Sequence, residues 1–389
     1  MSLVMVLGLI KVGLAGVSPT LAWAVTGILN LVDVVMIRLV EWMADLPASS
    51  PTVPALPWWL IASFYLFLLV FALTFRSRQH APSAVGVEDD DPSQPNQRSR
   101  PTVPVLASLV ILAASSIAWQ VNGKTSSELT VTVLAVGAGY AIALELPDGE
   151  THLYDAGSLG VGGVGKNVIA PFLRHRGIHR IDRLYVSHPN LDHFSGIPEL
   201  IAEMPVGPIV LNHCFESLSP PRSPARKLVK HLISVEHELE QVDAHQTQWE
   251  NGGVLFEKLW PTLDNCTGLT ANDSSTVLRI TYAGHSILFA GDITETAERA
   301  LIKEENLRAD VLLLPHHGSV CASTGEFLKA VNAHVLIRSS NQRLADTANG
   351  LQNLIGGATL YNTADCGAVT VVIDERGLQV EPWLARDFN

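Results

Sequence analysis

Two uncharged apolar runs stand out in the first third of the chain. Residues 58–75, WWLIASFYLFLLVFALTF, carry no charge and are long enough to cross a bilayer core of about 30 Å. The Trp pair at the start of this run suits the membrane interface. Residues 103–119, VPVLASLVILAASSIAW, are also uncharged and lie at the short end of the roughly 17 to 25 residues that a span needs. The pattern predicts two transmembrane helices, over 58–75 and 103–120.

The apolar signal before residue 58 is weaker. Lys11 interrupts the first apolar stretch, and residues 21–43 contain three charged side chains. This second stretch fits either an amphipathic helix at the membrane interface or a buried span in a helix bundle. The first 17 residues also resemble a signal peptide, but no clear A-x-A cleavage site precedes further apolar sequence. We therefore expect residues 1–75 to form transmembrane and amphipathic helices.

Residues 76–102, between the two spans, have a different composition. They are rich in Pro, Ser, Gln and charge, so they can bury little apolar surface and should form a disordered linker. The connection before the first span contains no Lys or Arg, whereas four arginines flank the linker side of the spans: Arg76, Arg78, Arg98 and Arg100. By the positive-inside rule the linker is cytoplasmic, and the chain after Trp119 lies on the extracytoplasmic side of the membrane.

From residue 121 to 389 the chain reads as alternating strands and helices. The runs LTVTVLAVG, YAIALELPDG and HLYDAG predict a β-meander, since each is apolar, β-rich and bounded by glycine. Later strands are predicted in IDRLYVS, STVLRITYAG, HSILFAGD and ADVLLLPHHG, and helices over 167–176, from Ile197 onward and in TETAERALIKEE. The pattern predicts a layered α/β domain with polar residues concentrated at the ends of its strands.

Composition agrees with a membrane part joined to a separate domain. The chain has 389 residues, 47% of them apolar, and a mean hydropathy of +0.24, which is too apolar for an ordinary soluble enzyme. From residue 121 onward 20 Lys and Arg stand against 31 Asp and Glu, a net charge of −11. This sign does not suit a general nucleic-acid surface.

Three predicted strands end in side chains that bind metal ions. The turn SHPNLDH, after the strand IDRLYV, supplies His188, Asp192 and His193. The sequence LFAGD places Asp292 after another strand, and LLLPHHGS places His316 and His317 after a third. Imidazole and carboxylate together suit zinc or manganese, with three or four ligands for each ion and a position left for water.

These motifs, in this order, resemble the metallo-β-lactamase superfamily. The resemblance rests on H-x-x-x-D-H, then G-D after a strand, then P-H-H-G-S, all following the opening VLAVGAGYAIALELPDGETHLYDAG. Within the superfamily the sequence looks like the extracytoplasmic domain of ComEC-type competence proteins, and the apolar first part looks like the tail of their membrane region. The resemblance implies an αββα sandwich in residues 121–389.

The resemblance also implies roles for individual residues. One metal would be held by Asp192, His193, Asp292 and either His316 or His317. The second would take His188, the third residue of the motif and Asp292, but the third residue is Asn190, and only His213 could replace a further missing histidine. Asn272 and Ser275, which match the family's N-x-x-S pattern, and Asn341 would contact substrate. The family's G-x-G-D motif reads G-A-G-Tyr140 here, and we expect the phenol to block or reshape the pocket.

A metal-dependent hydrolase of phosphodiesters, acting on DNA during uptake, is the function that the resemblance implies. Asp192 or Asp292 would hold the attacking water, and the histidine of the 316–317 pair that is not a ligand would contact phosphate or protonate the leaving group. The alternatives are a non-catalytic component that docks DNA in a competence channel, together with other channel subunits, and a degenerate inactive copy. No nucleotide cofactor is predicted.

Two further features carry less information. The basic groups RHRGIHRIDR and RSPARKLVKH fit a solvated helix surface better than a DNA contact. Four cysteines lie far apart without a C-x-x-C pair: Cys214, Cys266, Cys321 and Cys366. An extracytoplasmic location permits a disulfide, but the spacing does not specify one, and separate thiols are the simplest interpretation.

Overall fold

The structure of the chain is a computed structural model. It describes residues 58–79, 106–115, 127–242, 247–262, 266–304, 306–343 and 350–384, together with isolated positions between 18 and 38. The chain divides into two compact units, residues 1–53 and 54–389. All elements described below belong to the second unit.

The two apolar runs are helical where the structure describes them. Helix α1 spans Trp58–Gln79, so it covers the predicted span and continues four residues into the predicted linker. Residues 106–115, within the second predicted span, are also helical. The rest of the linker and nearly all of residues 1–57 lie outside the described residues. Over the part of the chain that is described, no helix combines the length and the apolar character needed to cross a bilayer.

The strands form two sheets, one of eight strands in the order β15-β14-β1-β2-β3-β4-β5-β6 and one of seven in the order β13-β12-β11-β10-β9-β8-β7. The strands of the first sheet are β1 (Leu129–Val133), β2 (Ala141–Glu145), β3 (Thr151–Ala156), β4 (Arg183–Val186), β5 (Ile209–Asn212), β6 (Leu239–Val242), β14 (Val369–Asp374) and β15 (Gly377–Pro382). The strands of the second sheet are β7 (Gln248–Asn251), β8 (Val254–Trp260), β9 (Val277–Tyr282), β10 (His285–Phe289), β11 (Val311–Leu313), β12 (Val335–Arg338) and β13 (Thr359–Asn362).

The pairing of the strands confirms the predicted meander. Strands β1, β2 and β3 pair antiparallel, whereas β3, β4, β5 and β6 follow one another in parallel. In the second sheet β7 to β10 are antiparallel, and β10 to β13 are parallel. Because parallel neighbours end at the same edge of a sheet, the residues that follow β3, β4 and β5 come together, as do those that follow β10 and β11.

Helices cover both sheets on their outer faces. The helical segments are Gly165–Ile169 (a π-turn), α2 (Ala170–His175), α3 (Leu191–Phe194), α4 (Ile197–Glu203), α5 (Pro224–Ser234), α6 (Glu295–Leu301), α7 (Thr324–Val331), α8 (Leu351–Leu354) and α9 (Thr363–Cys366), with 3₁₀ turns at Asn272–Ser274 and Pro315–Gly318. The predicted helices near residues 170, 197 and 295 are among them.

Three apolar clusters show how these layers pack. The central cluster lies between the sheets and joins Ile142 and Tyr154 of the first sheet to Phe256 and Phe289 of the second. A second cluster packs α2, α4 and α5 on the first sheet, and a third packs α6 and α7 on the second sheet. Each sheet therefore buries one face against the other sheet and one face against helices, which confirms the predicted αββα sandwich.

Candidate metal centre

Four of the predicted ligands converge at the edge where strands of both sheets end. The ligand atoms of Asp192, His193, Asp292 and His317 all lie within 4.8 Å of one another. Asp192 and His193 follow β4 in the first sheet, whereas Asp292 follows β10 and His317 follows β11 in the second. Only folding brings the ligands of the first sheet close to those of the second sheet. The sequence separation between Asp192 and His317 is 125 residues, and their Oδ2 and Nε2 atoms are 3.4 Å apart.

The local structure of the motif SHPNLDH presents Asp192 and His193 from a short helix. Asn190 has extended backbone angles and immediately precedes α3. Asp192 and His193 lie in the single turn of this helix. His188 comes before this turn and is fully buried. Its Nε2 lies 4.0 Å from Oδ2 of Asp292, so His188 lines the centre beside the four convergent ligands.

The histidine pair of PHHGS is divided by an unusual backbone turn. Both residues have left-handed angles, with φ of 48° for His316 and 55° for His317. Such angles are uncommon in residues other than glycine and often mark functional sites. Only His317 joins the convergent group, while Nε2 of His316 lies 3.3 Å from Nδ2 of Asn272. One residue of the pair therefore joins the ligand group, as the resemblance implies, and the left-handed turn separates the two rings.

Each histidine at the centre has its Nδ1 atom engaged by a specific partner. Nδ1 of His193 donates to Oδ2 of Asp155 at 2.6 Å, and Nδ1 of His317 donates to the carbonyl of Ser339 at 2.9 Å. Nδ1 of His188 lies 3.0 Å from Oγ of Ser187. Because Nδ1 of each ring is engaged in this way, Nε2 is the nitrogen left to bind a metal ion, and metal-binding histidines usually have their other ring nitrogen bonded to a carboxylate, a carbonyl or a similar partner.

These partners were not assigned a role from the sequence. In the sequence, Asp155 is only the acidic residue at the end of the strand HLYDAG, and Ser187 only the residue before the first motif histidine. Asp155 also accepts hydrogen bonds from the amide and the hydroxyl of Ser187, at 2.7 Å each. An acidic residue at the end of a β-strand, before a glycine, was the available signal for Asp155. Nothing near Ser339 in the sequence indicated its role.

Buried polar atoms without a hydrogen-bond partner mark the centre of the site. Among the described residues they include Nε2 of His188, Nε2 of His193 and Oδ1 of Asp292. A buried polar group without a partner costs free energy of about 1–3 kcal/mol, so such atoms need an explanation. A cation held by the four convergent residues would satisfy the atoms of His193 and Asp292, which belong to that group. The donor set of imidazoles and carboxylates therefore fits a divalent metal ion such as zinc or manganese.

The pKa values of the buried groups also reflect a strongly acidic centre. Burial opposes the imidazolium form of His193, but the carboxylates of Asp292 and Asp155 outweigh it and raise its pKa well above the usual value. Burial would raise the pKa of Asp292, but the charge of His193 holds it well below its usual value. The buried carboxylates thus favour a positive charge beside them, which a bound cation would supply. By contrast, burial and the neighbouring His193 lower the pKa of His188 to about 3, so this ring is neutral.

The predicted second metal position has fewer suitable ligands. The amide nitrogen of Asn190 donates to Oδ1 of Asn272 at 2.6 Å. His213, considered from the sequence as a further ligand, instead groups with Cys214 and Cys266. His188 and Asp292 are the remaining candidates for this position.

The three residues predicted to contact substrate occupy different environments. Asn272 lies at the site between Asn190 and His316. Ser275 is fully buried, and its hydroxyl donates to the carbonyl of Asn272 and accepts from the amide of Asp292, so it supports the turn that carries this ligand. Asn341 lies near Gly160, in the loop after β3. Its Nδ2 is 4.0 Å from the position that a Cβ on Gly160 would take.

The sequence predicts that the phenol of Tyr140 blocks or reshapes the pocket, but in the structure this side chain lies in the core. It is 1% exposed and belongs to the apolar cluster between the sheets. The hydroxyl donates to the carbonyl of Leu314 at 2.6 Å, and the ring packs against His193 and His317. The phenol is therefore anchored in the core and packs against two of the ligands.

Two of the four cysteines form a disulfide, so the expectation of separate thiols is wrong for this pair. Cys214 and Cys266 are bonded across a sequence separation of 52 residues. Cys214 follows β5 by two residues, and Cys266 lies six residues before Asn272. Close to this disulfide, Nδ2 of Asn212, two residues before Cys214, donates hydrogen bonds to the carbonyls of Ser187 and Ser274. Cys321 and Cys366 are thiols.

The first basic group is neutralised by acidic neighbours. Each of its arginines forms an ion pair with a carboxylate: Arg174 with Glu203, Arg176 with Glu145, Arg180 with Asp182 and Arg183 with Glu240. In the second group Arg226 pairs with Glu216, while Lys227 and Lys230 are exposed on α5. These contacts favour the interpretation of the first group as a solvated structural surface.

Comparisons with known proteins agree with the fold and the motifs. Residues 134–340 match a protein family described as the metallo-beta-lactamase superfamily. The chain is 27% identical to Competence protein ComA of Neisseria gonorrhoeae over 278 residues, which are 70% of this chain and 36% of that protein. It is 26% identical to ComE operon protein 3 of Bacillus subtilis over 180 residues, 46% of this chain and 22% of that protein.

A solved structure is also similar. Igni18, a metallo hydrolase from Ignicoccus hospitalis, aligns with a TM-score of 0.42 and 16% identity, over 62% of this chain and 98% of that one. The chain spans about a third of the length of the curated relatives that it matches over the longest ranges.

Proposed function

The chain belongs to the metallo-beta-lactamase superfamily, and from this premise we propose that it is a metal-dependent phosphodiesterase that acts on DNA during uptake. The observation that carries the proposal is the convergence of Asp192, His193, Asp292 and His317 around buried atoms without partners. Similarity to the competence proteins supports DNA as the substrate, and the sequence motifs support a ComEC-type domain.

The residues at the site divide into three roles. A divalent ion held by Asp192, His193, Asp292 and His317 would act as a Lewis acid and make hydroxide available near neutral pH. Asp192 is the most exposed of these ligands, at 14% for its side chain, so its carboxylate can accept a hydrogen bond from the attacking water. His316, held near Asn272 outside the ligand group, is placed to contact a phosphate oxygen or to protonate the leaving group.

Hydrolysis of DNA by the purified protein tests this function. The chain is stripped with a chelator, reloaded with Zn²⁺ or Mn²⁺, and incubated with single-stranded and double-stranded DNA. We expect cleavage only with metal and none above background in Asp192→Ala. Cleavage that persists in the chelator or in Asp192→Ala would contradict the proposal.

A non-catalytic role in docking DNA is the second candidate, and a degenerate inactive copy is the third. Asn190 favours the docking role and the inactive copy alike. Its amide is bonded to Asn272, at the position where the family's motif has a histidine ligand of the second metal. Cells that carry Asp192→Ala distinguish them from the hydrolase: transformation that persists at the normal level without hydrolysis supports docking. A purified protein that binds no metal supports the inactive copy.

We propose that the domain lies on the extracytoplasmic side of a membrane. The disulfide between Cys214 and Cys266 supports this placement, because disulfides persist in oxidising compartments. Exposed apolar side chains along α1, such as Tyr65, Leu66 and Leu69, support membrane attachment. A reporter that is active only after export, fused after residue 120, should be active; a cytoplasmic signal would contradict this orientation.

Replacing Asn190 with histidine should raise metal content and hydrolysis together. Wild type is expected to carry about one tightly bound ion, because only one ligand set is complete. An imidazole at position 190 would give the second position three ligands, with His188 and Asp292. Metal content is measured by elemental analysis, and turnover with bis(p-nitrophenyl) phosphate.

Asn190→Ala is the matched control, because it removes the bond to Asn272 without adding a ligand. It should leave metal content at about one ion per chain. If Asn190→His binds more metal but turns over no faster than Asp192→Ala, the hydrolase proposal gives way to docking or to an inactive copy.

A further inference from the structure

Tyr140 contacts the metal-binding histidines of both halves of the site. Its ring centroid lies 5.1 Å from that of His193 and 4.8 Å from that of His317. The ring planes are inclined by 32° and 24°, so the phenol packs at a tilt against the imidazole of His193 and stacks on that of His317. His193 belongs to the turn after the first-sheet strand β4, and His317 to the turn after the second-sheet strand β11. One buried ring thus packs against a ligand from each sheet.

Hydrogen bonds tie the same residue to the chain on both sides. The amide of Tyr140 donates to the carbonyl of Asp192 at 3.1 Å. Its hydroxyl donates to the carbonyl of Leu314 at 2.6 Å and accepts from the amide of His317 at 3.4 Å. Tyr140 is therefore bonded to the first-sheet turn through its backbone and to the second-sheet turn through its side chain.

The preceding glycine permits this close approach. A Cβ on Gly139 would lie 2.3 Å from the carbonyl oxygen of Gly157 and 2.8 Å from that of Asp192, which is too close for any side chain. The carbonyl of Gly139 accepts a hydrogen bond from Oγ of Ser339 at 2.7 Å. Ser339 is the residue whose own carbonyl orients His317. The segment 139–140 thus also supports the partner that orients the imidazole of His317.

We propose that Tyr140 is a positioning residue that sets metal affinity by fixing the placement of His193 relative to His317, without contacting the ion. Ligands from two separate turns bind an ion tightly only if their donor atoms are held close to the required geometry before binding. Packing against both rings and bonding to both turns places Tyr140 where it controls this geometry. This inference rests on the proposed function to the extent that the site binds a metal ion.

Metal affinity of Tyr140 variants tests the inference directly. Affinity of the full chain for Zn²⁺ is measured by competition with a chromophoric chelator, which needs no catalytic activity. Tyr140→Leu, which removes the ring, should bind Zn²⁺ about 10- to 100-fold more weakly, the range seen for residues that support metal ligands. Tyr140→Phe, which keeps the ring, should stay within about threefold of wild type on the same scale.

Phe256→Leu is the matched control for the loss of a core aromatic ring. Phe256 is fully buried in the same cluster, but its ring contacts His152, Tyr185 and Trp249, none of which belongs to the site. It should lower the unfolding midpoint of the metal-free protein to a degree similar to Tyr140→Leu and leave Zn²⁺ affinity nearly unchanged. Equal losses of affinity in the two leucine variants would overturn the inference, because they would indicate a general effect of core packing.

Three further outcomes are decisive, and the second of them separates this inference from the proposed function. If Tyr140→Leu does not fold, the phenylalanine variant decides: a tenfold or larger loss of affinity there would show that the ring is not the positioning element. If wild type binds Zn²⁺ and loses it in Tyr140→Leu but cleaves no phosphodiester, the inference stands and the hydrolase proposal fails. If wild type binds no Zn²⁺, both fail.

Discussion

Asp292→Asn is expected to lower metal affinity by about 100-fold or more and to reduce hydrolysis to background. Residues outside the ligand set already change affinity by about 10- to 100-fold, so a central ligand should matter at least as much. Oδ2 of Asp292 lies 3.3 Å from Nε2 of His193 and 3.8 Å from Nε2 of His317, and Oδ1 is buried without a partner. Asparagine preserves the shape but removes the charge that a cation requires.

Binding of the metal can be followed separately from catalysis. An ion that binds only the folded state raises the unfolding temperature, so wild type should be stabilised by added Zn²⁺ and Asp292→Asn should not. Glu295→Gln is the matched control: it removes one negative charge three residues away, on an exposed side chain that pairs with Arg299. It should behave as wild type in both measurements. Tight metal binding by Asp292→Asn would place the centre elsewhere.

Removing the disulfide is expected to have the largest effect on stability. The double variant Cys214→Ser, Cys266→Ser should lose about 2–4 kcal/mol of unfolding free energy, since a bond across 52 residues restricts the unfolded chain. The bond also joins the chain after β5 to the segment before Asn272, so its loss should loosen the edge of the site. Denaturant unfolding, followed by tryptophan fluorescence, measures the change.

A thiol reductant provides an independent check of the same bond. It should bring wild type to the stability of the double variant and leave the double variant unchanged. Cys321→Ser is the control, because Cys321 is a free thiol that donates to Glu298 and serine can make the same bond. If the reductant has no effect on wild type, the two cysteines are not bonded in solution.

Much of the fold could be predicted because its signals are local. The apolar runs that become β1, β2 and β3 each contain their own β-rich pattern and their own glycine turns. The αββα arrangement followed from the resemblance, since the order of the elements alone does not state how the two sheets face each other. The small helical elements, strands β5 to β8 and the strands after β11 have weaker patterns, and the sequence did not predict them individually.

The chemistry of the site was also visible before the fold was known. His188, Asp192, His193 and Asp292 come directly after predicted strands, where polar side chains collect at the edge of a sheet. The choice between His316 and His317 could not be made, because neighbouring residues have the same sequence context. The left-handed turn that separates them is a backbone conformation imposed by contacts with Gly291, Tyr140 and Ser339.

The sequence by itself determined which side chains can bind a metal and where along the chain they follow strands, because side-chain chemistry and hydrophobic pattern are properties of short segments. Only the tertiary structure decided that Asp155, Ser187 and Ser339 orient the histidines, that Cys214 reaches Cys266, and that Tyr140 is anchored in the core against two of the ligands. These contacts join residues that are mostly tens to hundreds of positions apart, and their distances are set by how the two sheets pack together.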